Sequence, residues 1–322
     1  MSESPLPFEI LNPYTAMSMN RRKTVGLVIS FVVVVGIAVW AAGIVIGLPV
    51  EVAGFIAVIA TVISLLCAYW SYRSGDALVL GIAEAHPANP QEHRQLFRTV
   101  ENLCIGAGMP MPRVYVINDD APNAFATGRD PEHATVAVTT GLLNKLEPLE
   151  LEGVIAHELS HIRNFDTRLM MMTAVLVGLI AIVADVALRA TWFGAGHRSR
   201  YKGKGEGGGA AILFAVALIA MIVAPIVGKI IQMSLSRQRE YLADASGALL
   251  TRYPEGLASA LIKISGDPDP LDEVTKGTAH LYIVNPLAAH SSGLNNMFST
   301  HPAIDDRIAR LRRMTGIEMP KR

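Results

Sequence analysis

The chain has 322 residues, of which 51% are hydrophobic and 17% charged, with a formal net charge of zero. It is too apolar for an ordinary soluble domain and too short for a large transporter. Zero net charge leaves no global basic field for nucleic acid, and Cys67 and Cys104 alone make no disulfide framework.

Residues 1–23 are polar with scattered prolines and read as a loose tail. Residues 25–48 carry no charge, enough to cross ~30 Å of hydrocarbon and more than the ~7–15 residues of a signal-peptide core. Residues 53–70 are equally clean, and the short link through Pro49 and Glu51 makes the pair a transmembrane hairpin over 24–72. Arg21, Arg22 and Lys23 precede the hairpin and Arg73 follows it. The positive-inside rule places both flanks in the cytoplasm.

The first part of a soluble domain is expected over 73–166. Pro87, Asn89 and Pro90 punctuate its start. Leu96, Phe97, Val100, Leu103 and Cys104 recur at helical spacing over 91–107, and Gly108 and Pro110 end that helix. Residues 113–117 and 134–139 read as strands, joined by a loop that contains Asn123-Ala124-Phe125-Ala126-Thr127-Gly128.

The helix expected over 148–164 carries His157-Glu158-Leu159-Ser160-His161. Two histidines four apart project from one helix face, so both imidazoles can reach one zinc ion. Glu158, one position round, is placed to address a metal-bound water instead of the metal, which is the arrangement of a zinc hydrolase. Asn164 and Asp166 have two readings each. They orient ligand side chains, or Asn164 ends this helix and Asp166 caps the next.

A second apolar pair follows within 167–233, at 170–188 and 210–231, interrupted by Asp185, Pro225 and Lys229. Met170, Met171 and Met172 read as bilayer packing. The connecting loop carries Arg189, Arg198, Arg200, Lys202 and Lys204, which conflicts with an outside location. The first hairpin overrides the loop, or the pair dips into the bilayer, or it packs on the soluble domain; spanning is the favoured reading. The glycine-rich run at 202–209 is a flexible linker, not a phosphate loop, because no strand precedes it and no Lys-Ser/Thr follows its glycines.

The remaining part of the domain, 234–322, holds helices over 236–250, 256–264 and 302–313. A catalytic zinc usually takes three protein ligands and leaves a position for water. Glu240 is the best third ligand: its helix emerges from the fourth apolar segment as the His157 helix leads into the third. If those segments pair, their ends meet. Asp244, one turn on, is suited to accept a hydrogen bond from a ligand histidine.

These residues resemble the HtpX-type membrane metalloproteases, bacterial relatives of the eukaryotic CAAX prenyl-protein proteases. The likeness rests on 157–164, on Ser236-Arg237-Gln238-Arg239-Glu240-Tyr241-Leu242-Ala243-Asp244, on 123–128 and on Phe298-Ser299-Thr300-His301-Pro302. It covers nearly the whole chain. It implies a mainly α integral membrane protein: four apolar helices and a gluzincin-like zinc metalloprotease domain with a small β-sheet. One Zn2+ per chain is implied, on His157, His161 and Glu240, with Glu158 as general base. Asn123, Ala124 and Phe125 would lie along a cleft where an extended substrate adds as a strand. His301 or Arg307 would approach that cleft, His301 as an oxyanion partner.

The implied partners are polypeptide substrates, chiefly misfolded membrane proteins, and the lipid bilayer of the bacterial cytoplasmic membrane; no nucleic acid is expected. Two alternatives stand beside this reading. A CAAX-type endopeptidase has more membrane segments than four. A non-catalytic scaffold with structural zinc usually has four ligands, often with cysteine.

Overall fold

The computed structural model describes residues 13–45, 47–180, 237–269, 271, 278–284 and 302–314. Two long helices open it, α1 (Pro13–Val45) and α2 (Val50–Ile82). Both contain stretches long and apolar enough to cross a membrane, Met17–Ile44 and Val50–Ile82. Val25, Ile29, Phe55 and Leu66 are all more than half exposed on their outer faces, as a lipid-facing surface requires.

Two boundaries differ from the sequence reading. Residues 13–23 are not a tail but the first turns of α1: Pro13 fits a helix start, and nothing between it and Gly26 breaks the register. Asn20, Thr24, Leu27 and Phe31 are buried on one face of α1. Likewise α2 does not stop near Tyr72 but runs on to Ile82.

A four-stranded mixed sheet follows, from β1 (His86–Pro87), β2 (Arg113–Ile117), β3 (Ala124–Gly128) and β4 (Ala134–Thr139), in the order β1-β2-β4-β3. β2 and β4 are parallel; β3 runs antiparallel to β4, with Ala124 opposite Val138. β3 corrects the loop expected at 123–128. All five of its residues are buried, so no polar alternation marks it as a strand. The sheet separates two cores. Ala124, Ala126, Val136 and Val138 face one, with helices α3 (Arg94–Ala107) and α5 (Pro148–Arg163). Phe125, Ala137 and Ile117 face the other, with α1 and α2.

The edge of β3 away from β4 is partly covered. Ile283 N–H donates to the Ala124 carbonyl at 2.9 Å, and the Phe125 and Tyr282 rings meet edge to face at 5.1 Å.

After the short α4 (Thr140–Lys145), α5 begins with Pro148 in its first turn, while the Glu150 carboxylate accepts from Glu147 N–H at 2.8 Å. Nearly all of α5 is buried, packed between α3, α7 (Arg237–Thr251) and α8 (Pro254–Ser265). The close approach of α7 needs Gly247: a Cβ there would lie 3.0 Å from His157 N.

Asn164 and Phe165 then turn the chain into α6, residues 166–180. Phe165 has φ 58°, a left-handed conformation costing a bulky residue on the order of 1 kcal/mol. Met170, Met171 and Met172 in α6 are buried against protein, not lipid, because α1, α2 and the sheet cover them. The rest of the third apolar segment, the whole fourth and the glycine-rich run lie outside the described residues. α9 (Ile304–Met314) packs on α8 and α7.

Candidate metal centre

One turn of α5 separates His157 from His161, and their Nε2 atoms converge to 3.1 Å. Glu240, in the first turn of α7, brings Oε2 within 3.8 Å of His157 Nε2 and Oε1 within 3.6 Å of His161 Nε2. Ligand atoms around a tetrahedral zinc stand ~3.3 Å apart, given ~2.0–2.1 Å bonds. The three side chains therefore fit one small divalent ion, and all three are buried.

The outer ring nitrogens fix the orientation. His157 Nδ1 lies 3.0 Å from Asp244 Oδ1, and His161 Nδ1 lies 3.0 Å from Asp166 Oδ2. A carboxylate on each Nδ1 places the proton there and turns the Nε2 lone pair inward, towards the shared point.

Each carboxylate is itself held. Arg307 donates from Nε to Asp244 Oδ2 at 2.9 Å and from Nη2 to Oδ1 at 2.7 Å; its Nη1 donates to the Ile283 carbonyl at 3.0 Å. Arg307 is fully buried, and its guanidinium stands 3.5 Å from His157 Nε2 and 3.7 Å from Glu240 Oε2, beside two of the three converging groups. Asp166 Oδ1 accepts from Asn20 Nδ2 at 2.6 Å, and Arg239 stands 3.6 Å away. The same Asn20 amide donates to the Asn164 carbonyl at 3.0 Å. Asn164 closes α5, its N–H donating to Ser160 O.

Sequence reasoning missed Asn20. Its one local clue is the spacing to Thr24, Leu27 and Phe31, which makes it part of the buried face of α1.

Glu158 is buried beside the three converging groups, and its carboxylate accepts a hydrogen bond from Ala126 N–H on β3. Burial, with Glu240 adding to it, pushes its pKa up to about 7, against His161, Arg307 and the Ala126 bond. Burial pushes His157 down to about 4, helped by His161 and Arg307 and opposed by Asp244. His161 goes the other way. Burial works against its charged form, but the Asp166 hydrogen bond and the Glu240 charge outweigh that and raise it to about 9. Asp244 is buried too, yet the Arg307 charge and its hydrogen bonds hold its pKa below the usual carboxylate range.

The residues expected along the cleft, Asn123, Ala124 and Phe125, lie at the start of β3 and just before it. Ala124 and Phe125 are core side chains, and the Asn123 amide donates to Val284 O at 3.0 Å and accepts from Ala124 N–H. What β3 turns to the site is backbone, at Ala126. His301 lies outside the described residues.

Residues 90–315 match the model of peptidase family M48. The chain is 44% identical to the protease HtpX homolog of Dictyoglomus thermophilum over 301 residues, 94% of each chain. It is 44% identical to that of Listeria monocytogenes serotype 4a over 312 residues, covering 94% of this chain and 99% of the other. Over 245 residues it is 48% identical to the homolog of Thermoanaerobacter pseudethanolicus, covering 76% and 80%. Likeness of this extent, over a chain that brings its two histidines and glutamate to one point, means that the chain belongs to peptidase family M48 and is a membrane-bound metalloprotease.

Proposed function

We propose that the chain is a zinc-dependent endopeptidase that cleaves misfolded or damaged proteins of the bacterial cytoplasmic membrane. His157, His161 and Glu240 hold one zinc, Asp244 and Asp166 fix the rings, and Glu158 is the general base of a gluzincin-like domain. The observation that carries this reading is the inward convergence of three ligand atoms with a fourth carboxylate, Glu158, beside them. Bound zinc supplies Lewis acidity, bringing a water towards pKa ~7 and polarising the scissile carbonyl.

The protein's own groups do the rest. Glu158 takes the proton of the attacking water and returns it to the leaving amine, and its place beside the three ligand side chains suits it to both transfers. Ala126 N–H steadies that carboxylate from the sheet. Substrate extends along β3 beside Asn123 to Phe125. Arg21, Arg22 and Lys23, just before the uncharged stretch of the first helix, and Arg73, just after that of the second, support a multi-pass protein with its site facing the cytoplasm.

Cleavage of casein by the detergent-purified chain tests this, with Glu158→Gln as control and zinc measured in both. The expected result is cleavage by the wild type alone, with zinc retained in both. Zinc held firmly with no cleavage of casein or a membrane substrate by either would reject the protease reading, and loss of zinc from both would reject the ligands.

A further inference from the structure

A groove of about 550 Å³ lies between α1, α2 and α6, lined by none of the metal-ligating side chains. Its walls are stripes at helical spacing. Arg21, Val25 and Ile29 come from α1, Leu65 and Tyr72 from α2, and Arg168 from the first turn of α6. The stripe is apolar below the arginines, and from Arg21 to Ile29 it extends ~12 Å at ~1.5 Å per residue.

The polar end holds two like charges. The Arg21 guanidinium lies 4.8 Å from the Phe165 ring centre and the Arg168 guanidinium 4.7 Å from the same centre; Arg168 also faces Tyr72 at 5.6 Å. Arg168 donates from Nε to the Arg129 carbonyl, leaving its Nη groups for an anion, and neither arginine forms an ion pair among the described residues. The carboxylates of the adjoining segments are engaged elsewhere: Asp130 with His133 at 2.6 Å and Arg129 at 3.5 Å, Asp166 with His161 and Asn20. Two guanidiniums gathered on one ring, with no anion of their own, leave a positive pocket at the mouth of an apolar groove.

We propose that this groove binds one anionic phospholipid, its phosphate between Arg21 and Arg168 and an acyl chain along Val25, Ile29 and Leu65. Guanidinium forks match phosphate oxygens, and basic pockets between membrane helices suit lipid headgroups. A free inorganic anion has no use for the apolar stripe, whereas the bilayer supplies both parts at once. The headgroup sits one residue from Asn20 and two from Asp166, so a bound lipid borders the support of His161.

The test is native mass spectrometry of the full chain in detergent, loaded with phosphatidylglycerol or phosphatidylcholine. The wild type retains one phosphatidylglycerol, on the order of tenfold better than phosphatidylcholine, because the two arginines favour a headgroup of net negative charge. Arg21→Gln with Arg168→Gln removes that preference. Ile29→Trp, which fills the stripe and keeps both charges, lowers retention of both lipids, and metal content checks that each variant is folded. Equal retention by wild type and the double variant overturns the proposal. So does displacement of the lipid by inorganic phosphate alone, which marks a free-anion site. So does retention of no lipid by any form, which means that the protein's own chain fills the groove.

Discussion

Asn20 and Asp166 are 146 residues apart in sequence and 2.6 Å apart in space. The bond joins the first long helix to the carboxylate that orients His161. Groups that orient a metal's ligands typically change affinity by ~10–100-fold when removed. Asn20→Ala should therefore weaken metal binding by about tenfold, at the low end of that range, because Asn20 acts through Asp166. Asn20→Asp should weaken it more, since it sets a second carboxylate against Asp166. Competition with a chelator of known affinity measures both; unchanged affinity in Asn20→Ala would remove Asn20 from the site.

Metal affinity should also depend on pH. In metal-depleted protein His161, with its pKa raised to about 9, holds a proton at neutral pH that the ion must displace, whereas His157, lowered to about 4, holds none. The protonated form competes with metal, so affinity falls as pH drops below about 9. The expected slope is about tenfold per pH unit, flattening above pH 9. A dissociation constant independent of pH across this window would contradict the assignment.

Gly247 sets how closely the Glu240 helix approaches the His157 helix. A Cβ there meets His157 N at 3.0 Å and Ala156 C at 3.2 Å, both backbone atoms that cannot rotate away. Gly247→Ala should part the helices by a few tenths of an ångström, costing ~1–3 kcal/mol and weakening metal binding; Gly247→Val should do so more strongly. Thermal unfolding and chelator competition would read the two effects. An alanine variant equal to wild type in both would show that the helices tolerate the extra atom.

Arg307 is buried against two acidic groups, Asp244 at 2.7 Å and Glu240 at 3.7 Å. Removing one partner of such a pair typically costs ~3–5 kcal/mol because the other charge stays buried alone. Arg307→Met should lower stability by about that much, and Arg307→Lys should recover little, since one ammonium cannot replace a fork with two bonds to Asp244. Adding Asp244→Leu to Arg307→Met should restore part of the loss. Denaturant unfolding in detergent decides; a double variant less stable than the sum of the singles would mean that the pair is not the source of the cost.

Residues whose pattern is local were legible in the sequence. His157 and His161 fall on one helix face by spacing alone, and α3 follows from Leu96, Val100, Leu103 and Cys104 with the Gly108 stop. β3 was not, because Ala124 to Gly128 is buried on both sides and shows neither helix nor strand periodicity. Asn20 was hidden for another reason. A polar residue among Arg21, Arg22 and Lys23 reads as solvated until its distant partner is placed beside it. Arg307 posed the same problem: its three acceptors come from Asp244 and Ile283, which only the folded chain brings together.

The hydrogen bond from Ile283 to Ala124 carries a consequence for selectivity. If substrate pairs with this edge of β3, it meets a tethered competitor that belongs to the enzyme. A tethered segment acts at an effective concentration in the ~mM range. A dilute peptide arriving from bulk water loses that contest. A chain confined to the same bilayer is concentrated in two dimensions and held near the edge, so it wins more often. Discrimination between membrane and soluble polypeptides then needs no side-chain recognition; it follows from who can outlast the rival strand.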